Sequence, residues 1–164
     1  IPLPPKYVVI HPGTTAWVGR NWYVDRWIDI VHRIRNKGYE VVLIGDKATP
    51  SIPTKFDLRG KLSIHQTADV IKKSSFFVGI DSFPFHLAQS QNIPGVVFFG
   101  CIDPKLRIVK DNITAINASE LGCIGCHHWI AAPRNSNTTC IRGKEECMDR
   151  ITVDRMWEVI DKCI

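Results

Sequence analysis

The sequence predicts an α/β domain: a doubly wound, Rossmann-like parallel sheet with helices on both faces. Short runs that are apolar throughout alternate with segments whose apolar residues recur at helical spacing. Strands that are apolar on both sides belong to a parallel sheet covered on both faces. With 164 residues, of which 45% are hydrophobic, the chain is long enough for one domain, residues 1–164, with a sizeable core.

The first strand and helix have clear boundaries in the sequence. Residues 7–11, YVVIH, form a β-branched run that Pro12 and Gly13 end. A helix is predicted over residues 24–37 because its apolar residues recur at helical spacing, and Gly38 stands where a C-terminal cap is expected.

The next strand is predicted at residues 40–44, EVVLI, before a glycine and an aspartate. A proline-containing loop leads to a short segment at residues 56–58. Ser63 is the expected N-cap of a helix that runs to about residue 73.

The second half of the chain continues the alternation of strands and helices. The predicted strands are residues 76–80, 95–99 and 113–116. One helix is predicted from near Pro84 to about residue 91. Another is predicted from 153 to about 162, with Thr152 as its N-cap. No apolar run approaches the roughly 20 residues that a bilayer span requires.

The formal net charge of +5 comes from scattered basic residues, so the sequence shows no stripe for nucleic acid and fits a small anionic ligand. No basic leader and cleavage site precede the first strand, which favours a cytoplasmic location. Because the chain begins with Ile and several prolines, we expect it to be part of a longer protein with a preceding domain.

The strongest site signal is the stretch DSFPFH, residues 81–86, directly after a buried strand. In open parallel sheets, ligands bind beyond the carboxyl ends of the strands, where helix N-termini present unpaired N–H groups. The amides of Ser82, Phe83 and Phe85 are candidates for binding a phosphate. The competing interpretation makes Asp81 or Ser82 an ordinary N-cap and His86 an ordinary helix residue.

The loop over residues 12–20 is a weaker candidate. Thr14, Thr15 and Arg20 have groups that suit phosphate, and glycines let backbone approach a ligand. The loop lacks both GxGxxG and GxxxxGK[ST], so neither a dinucleotide fingerprint nor a P-loop is indicated. An ordinary surface connection is the alternative.

The order HPG-TT, R-x-W, VVLIGD and GKLSIHQTADVIKKSSFFVGIDSFPFHLAQSQNIPGVVFFG resembles the C-terminal domain of glycosyltransferase family 9, the bacterial heptosyltransferases. That family has a DSGPMHLA-like motif followed by an xGxPxVxLFG strand. The resemblance covers most of residues 7–103, and residues 60–100 are its most specific part.

The resemblance implies a GT-B architecture in which this domain binds a nucleotide-sugar donor, resembling ADP-heptose, for transfer to a bacterial glycan or protein acceptor. Asp81 would hold hydroxyls of the donor sugar. Ser82 and the backbone of Phe83 would contact the diphosphate, and His86 would lie close by.

The other implied donor contacts come from two earlier segments. Thr14 and Thr15 match family threonines near the phosphates, and Arg20 stands where the family often has a phosphate-binding lysine. Leu62 and Ser63 fall in the segment that lies along the nucleoside.

Departures from the family pattern leave the enzymatic status open. Phe83 replaces the usual glycine, and Arg20 replaces lysine. The family's acceptor domain and general base are not in this sequence, so we expect no catalytic residue here, and donor binding without transfer by this chain alone. A non-catalytic binding or assembly module that retains the fold is the alternative.

A cysteine-rich loop spans residues 123–147, with Cys123, Cys126, Cys140 and Cys147 spaced as CxxC-x13-C-x6-C. In a chain without a secretory signal, this spacing favours a structural Zn or Fe site with four thiolates, and Gly125 would ease the first turn. Free or disulfide-linked cysteines are the alternative.

Further expectations concern this loop and the whole chain. His127 or His128 could replace one thiolate, and a redox or metal-sensing protein built on the CxxC pair is a weaker option. The resemblance to autotransporter heptosyltransferases implies iron bound by four cysteines. No catalytic metal is expected, no nucleic-acid partner or membrane span is predicted, and a homo-oligomer remains compatible with the sequence.

Overall fold

The computed structural model describes residues 2–13, 20–129, 140 and 142–164, with the side chain of Trp129 left aside. In this part of the chain, parallel strands form a sheet of order β3-β2-β1-β4-β5-β6. The strands are β1 (Tyr7–His11), β2 (Glu40–Leu43), β3 (Phe56–Asp57), β4 (Phe76–Ile80), β5 (Gly95–Phe99) and β6 (Ile113–Asn117). The predicted doubly wound parallel sheet is therefore confirmed.

The helices flank this sheet. They are α1 (Val24–Asn36), α2 (Ile64–Lys72), α3 (Phe83–Ser90), α4 (Cys126–Trp129), α5 (Glu146–Asp149) and α6 (Val153–Asp161), with short 3-10 turns at Pro104–Leu106 and Ser119–Leu121. Helices α4 and α5 were not predicted, because four residues are too few to show a helical period.

The core lies on both faces of the sheet, as the apolar strands predicted. On one face, Trp27 of α1 and Met156 of α6 pack with Phe98 of β5. On the other, Phe85 of α3 packs with Phe77 of β4. Alternate residues of each strand point to opposite faces, so a strand buried on both faces is apolar at most positions, with His11 at the end of β1 as a polar exception.

Local signals set the helix ends. Ser63 forms a capping box with Gln66, in which each side chain accepts from the other residue's backbone N–H. Thr152 caps α6 through the N–H of Arg155. Gly38 has φ +83 just beyond α1, a conformation that favours glycine. These three predictions are confirmed.

The strand order reverses between β1 and β4. The chain runs outward from β1 to β2 and β3, then crosses back to β4, which pairs with β1 in a register that places His11 beside Gly79. Such a switch point leaves a crevice between the carboxyl ends of the two strands, because their connections leave in opposite directions.

The segment that follows the cysteine-rich loop is tied to α1. The indole of Trp22 donates to the carbonyl of Ile151 at 2.7 Å. The guanidinium of Arg26 donates to the carbonyls of Met148, Asp149 and Ile151. These contacts fix α5 and the start of α6 on the domain. Among the described residues, no helix is both long and apolar enough to cross a bilayer.

Candidate functional site

Asp81 occupies the turn between β4 and α3, at the switch point of the sheet, and is only 3% exposed. Its Oδ2 lies 3.3 Å from a guanidinium nitrogen of Arg20, and its Oδ1 lies 3.9 Å from Nε of Arg107. Arg20 also donates to the Asp81 carbonyl at 3.2 Å. One buried carboxylate is therefore held between two guanidinium groups.

This group of Arg20, Asp81 and Arg107, here called the arginine-aspartate cluster, has a formal charge of +1. Buried charges persist where they are paired, and the remaining positive charge favours an anionic ligand. Oδ2 of Asp81 is buried and has no hydrogen-bond partner among the described residues, so its contact with Arg20 is ionic.

The carboxyl ends of β1 and β4 are joined by His11 and Ser82, whose Nδ1 and Oγ lie 2.9 Å apart. Burial lowers the pKa of His11 to about 4, so the imidazole is neutral at neutral pH. Ser82 is the N-cap of α3 without a capping hydrogen bond from its side chain. Its hydroxyl orientation is thus set by His11 and not by the helix.

The N-terminus of α3 faces the switch point, and one prediction about it was wrong. The N–H of Phe85 donates to the carbonyl of Ser82 at 3.2 Å, so it is not an unpaired donor. A hydrogen bond between residues three positions apart, as in a 3-10 helix, tightens this first turn and uses the N–H of Phe85. Phe83 is 51% exposed at the same turn, where the family pattern has glycine.

His86 is exposed on α3, and its ring centroid lies 4.3 Å from that of Phe85. Desolvation lowers its pKa, the negative charge of Asp81 opposes this, and Arg107 and Arg20 lower the pKa further. His86 is therefore within the electrostatic reach of the arginine-aspartate cluster.

Leu62 and Ser63 lie at the start of α2. Leu62 is half-buried and packs with the core on that face, and with Leu3 it lines a small cavity along α2. The hydroxyl of Ser63 accepts from Gln66 as an N-cap, which is a structural role. Thr14 and Thr15 fall outside the described residues, so their predicted phosphate contacts are not described by the structure.

Sequence reasoning missed three residues of the site. His11 ends a strand, which was a usable signal, whereas Arg107 lies in a loop without a motif. Gln89 of α3 is 4% exposed, and its side chain binds the loop that contains Arg107. Only the folded chain brings His11 and Arg107 to the switch point, and Gln89 contacts the loop of Arg107 from near the other end of α3.

The CxxC turn packs on the loop after β5. The N–H of Gly125 lies 3.4 Å from the carbonyl of Gly100, and that of His127 lies 3.0 Å from the carbonyl of Cys101. Gly125 has φ +80, and a Cβ there would come within 3.0 Å of the side chain of Asp103. The turn therefore requires glycine at position 125 for two reasons, the positive φ and the close approach to Asp103.

The cysteines are free thiols that influence one another. Burial is the main cause that raises the pKa of Cys126 to about 11 and that of Cys147 to about 12, and the charges of Cys101, Cys123 and Cys140 contribute in the same direction. Within the described ranges, no three metal-ligating side chains are grouped closely enough to hold an ion. The donor set nevertheless fits a thiophilic metal, because a cation would relieve this mutual repulsion.

The strand order and the helices that flank the sheet define a Rossmann-like α/β domain. The profile described as glycosyltransferase family 9 (heptosyltransferase) matches residues 1–133. The chain belongs to this family of glycosyltransferases.

Two heptosyltransferases are similar to this chain in sequence. Lipopolysaccharide heptosyltransferase 3 of Escherichia coli is 28% identical over 110 residues, which are 60% of this chain and 32% of that protein. Autotransporter heptosyltransferase TibC of Escherichia coli O78:H11 (strain H10407 / ETEC) is 27% identical over 154 residues, which are 83% of this chain and 36% of that protein.

Solved structures share the fold. The dodecameric iron-containing heptosyltransferase TibC in complex with ADP-D-beta-D-heptose has a TM-score of 0.82 at 23% identity, covering 99% of this chain and 46% of that one. E. coli ADP-heptose lps heptosyltransferase II has a TM-score of 0.74 at 18% identity, covering 97% and 46%. This chain thus spans about a third of the curated relatives and less than half of these solved chains.

Proposed function

We propose that this domain binds a nucleotide-sugar donor of the ADP-heptose kind and supplies the donor half of a heptosyltransferase. The observation that carries the proposal is the buried carboxylate of Asp81 between Arg20 and Arg107, at the switch point of a parallel sheet. A site with both a carboxylate acceptor and surplus positive charge suits a ligand that has both hydroxyls and phosphates.

Asp81 would accept hydrogen bonds from hydroxyls of the sugar through its carboxylate, one oxygen of which is buried without a hydrogen bond among the described residues. A buried acceptor without a hydrogen bond is costly to leave unpaired, which gives the sugar hydroxyl a favourable place to bind. Family membership and the ligand of the solved TibC structure support this choice of donor.

The diphosphate would lie against the N-terminus of α3. There the amides of Ser82 and Phe83, the helix dipole and Arg20 would share its charge. The same groups would stabilise the diphosphate as it departs during transfer, which requires no metal at the reacting centre. Ser82 would be oriented for this contact by His11.

The transfer step would require groups from outside this chain. Another domain would bind the acceptor, a bacterial glycan or protein, and would supply the general base. We expect the present chain to bind the donor without transferring the sugar. We also propose a cytoplasmic location, where nucleotide-sugar donors would be available to the site.

Calorimetric titration of the intact chain with ADP and with ADP-heptose tests the proposal. We expect both to bind, with ADP-heptose the tighter because only it has the sugar hydroxyls that reach Asp81. The absence of binding at millimolar ADP-heptose by a chain that unfolds cooperatively in urea would overturn the proposed function.

We further propose that Cys123, Cys126, Cys140 and Cys147 hold one structural iron or zinc ion. Their mutual influence on pKa and the packing of the CxxC turn on residues 100–103 support this role, which would fix the loop beside the donor site. Elemental analysis of the purified chain is the direct measurement, with Cys126→Ser expected to lower the metal content and Cys163→Ser, at an exposed cysteine, expected to leave it unchanged.

The exposed Phe83 favours a second candidate, a non-catalytic binding or assembly module. A large apolar side chain at the predicted diphosphate site would hinder backbone approach to phosphate. Phe83→Gly, which restores the family pattern, distinguishes the two functions. Donor binding by the wild-type chain supports the first, and binding by the glycine variant alone supports the second.

A further inference from the structure

The loop after β5 is held by a buried glutamine. The Gln89 Nε2 donates to the carbonyl of Arg107 at 3.1 Å, and its Oε1 accepts from the N–H of Val109 at 2.7 Å and of Lys110 at 3.3 Å. The N–H of Arg107 also donates to the carbonyl of Pro104 at 2.9 Å. These bonds position the backbone of Arg107 without a regular secondary-structure element.

The two arginines that flank Asp81 differ in their access to a ligand. The Arg20 side chain is 17% exposed and also binds the carbonyl of Asp81, whereas that of Arg107 is 36% exposed and lies 3.9 Å from the carboxylate. One carboxylate cannot neutralise both guanidinium groups. Arg107 is therefore the more exposed of the two and retains N–H donors and charge that the carboxylate does not use.

From this geometry we infer that Arg107 binds the diphosphate of the donor directly and that Gln89 is a positioning residue that holds Arg107 in place. The inference rests on the proposed function and adds two residues to the site. A guanidinium suits this task because its planar donors bind two phosphate oxygens at once. Removal of Arg107 would leave a neutral Arg20–Asp81 pair and so remove the surplus charge.

Titration with ADP and with adenosine, which lacks phosphates, tests the role of Arg107. We expect Arg107→Ala to weaken ADP binding about ten- to a hundredfold, the range for one charge-assisted hydrogen-bonding group, and to leave adenosine binding unchanged. Arg107→Lys should fall between, since it keeps charge without the planar fork. Arg107→Gln replaces the alanine variant if that variant fails to unfold cooperatively.

Lys110→Ala is the matched control. It removes one positive charge from the same loop, but the Lys110 ammonium binds the carbonyl of Ser90 and the side chain of Asn92, at the far end of α3. ADP affinity should be unchanged. Equal affinity of the Arg107→Ala and Lys110→Ala variants for ADP would overturn the inference alone, whereas failure of the wild-type chain to bind ADP would overturn the proposed function.

The positioning role of Gln89 has its own readout. Gln89→Leu should weaken ADP binding in the wild-type background and have no further effect in the Arg107→Ala background, because the two residues act on one contact. Independent losses that add in the double variant would show that Gln89 does not act through Arg107.

Discussion

The Nδ1 of His11 lies 2.9 Å from the hydroxyl oxygen of Ser82, so a single hydrogen bond joins the carboxyl ends of the two strands between which the sheet reverses its order. Ser82 directly follows Asp81 in the sequence, so this hydrogen bond lies beside the arginine-aspartate cluster. The family motif residue Ser82 is thus oriented by a residue 71 positions away, with which it forms one polar unit.

The buried His11 makes the stability of the fold depend on pH. Its pKa is lowered from 6.5 to about 4 by burial, so the unfolded chain binds more protons between these two pH values. The free energy of unfolding should therefore fall as the pH is lowered from 6.5 towards 4, by up to about 3 kcal/mol from this group. Urea unfolding at a series of pH values measures it.

The variant His11→Gln should lose this part of the pH dependence, because glutamine does not titrate. The exposed His65 gives a matched control, and His65→Gln should keep the wild-type slope. A constant difference in stability between wild type and His11→Gln from pH 7 to pH 4 would contradict the prediction.

Asp81→Ala should separate sugar recognition from phosphate recognition. The substitution removes an acceptor for sugar hydroxyls, and it raises the formal charge of the cluster. ADP-heptose affinity should fall on the order of tenfold or more, while affinity for ADP alone should hold or rise, because less negative charge faces the phosphates. Calorimetry with both ligands measures the two effects, and an equal loss for both ligands would show that Asp81 does not recognise the sugar.

Ser63→Ala should destabilise the chain by about 1 kcal/mol, since it removes the hydrogen bond that the Ser63 hydroxyl accepts from the N–H of Gln66 in the capping box of α2. Ser63→Asp keeps an acceptor for the N–H of Gln66 and should retain most of the stability. Urea unfolding compares the three chains. If Ser63 also contacts the nucleoside, as the family resemblance implies, the alanine variant will lose ADP affinity in addition to stability.

The thiols should respond to metal removal. With the pKa of Cys126 at about 11 and that of Cys147 at about 12, these two thiols are protonated at pH 8 in the absence of metal and react slowly with iodoacetamide. The exposed Cys163 should react first. If the four cysteines hold a metal ion, a chelator should release one ion per chain and lower the urea concentration at which the chain unfolds. Release of no metal, or an unchanged unfolding midpoint after chelation, would argue against the metal site.

Much of the fold is local in origin and was predictable. The strands β1, β2, β4 and β5 have runs of successive apolar residues, and the caps at Ser63 and Thr152 satisfy backbone groups within three residues of themselves. The helices α4 and α5 were missed because four residues are too few to show a helical period, and α5 is held in place by the contacts of Arg26.

Sequence alone determined that the chain is a parallel α/β domain, that DSFPFH stands at the carboxyl end of a buried strand, and that four cysteines share a loop. Only the tertiary structure decided that Arg20 and Arg107 flank Asp81, that His11 orients Ser82, and that Gln89 holds the loop of Arg107. Charge pairing and burial depend on distances between segments remote in sequence, and such distances have no local pattern from which they could be predicted.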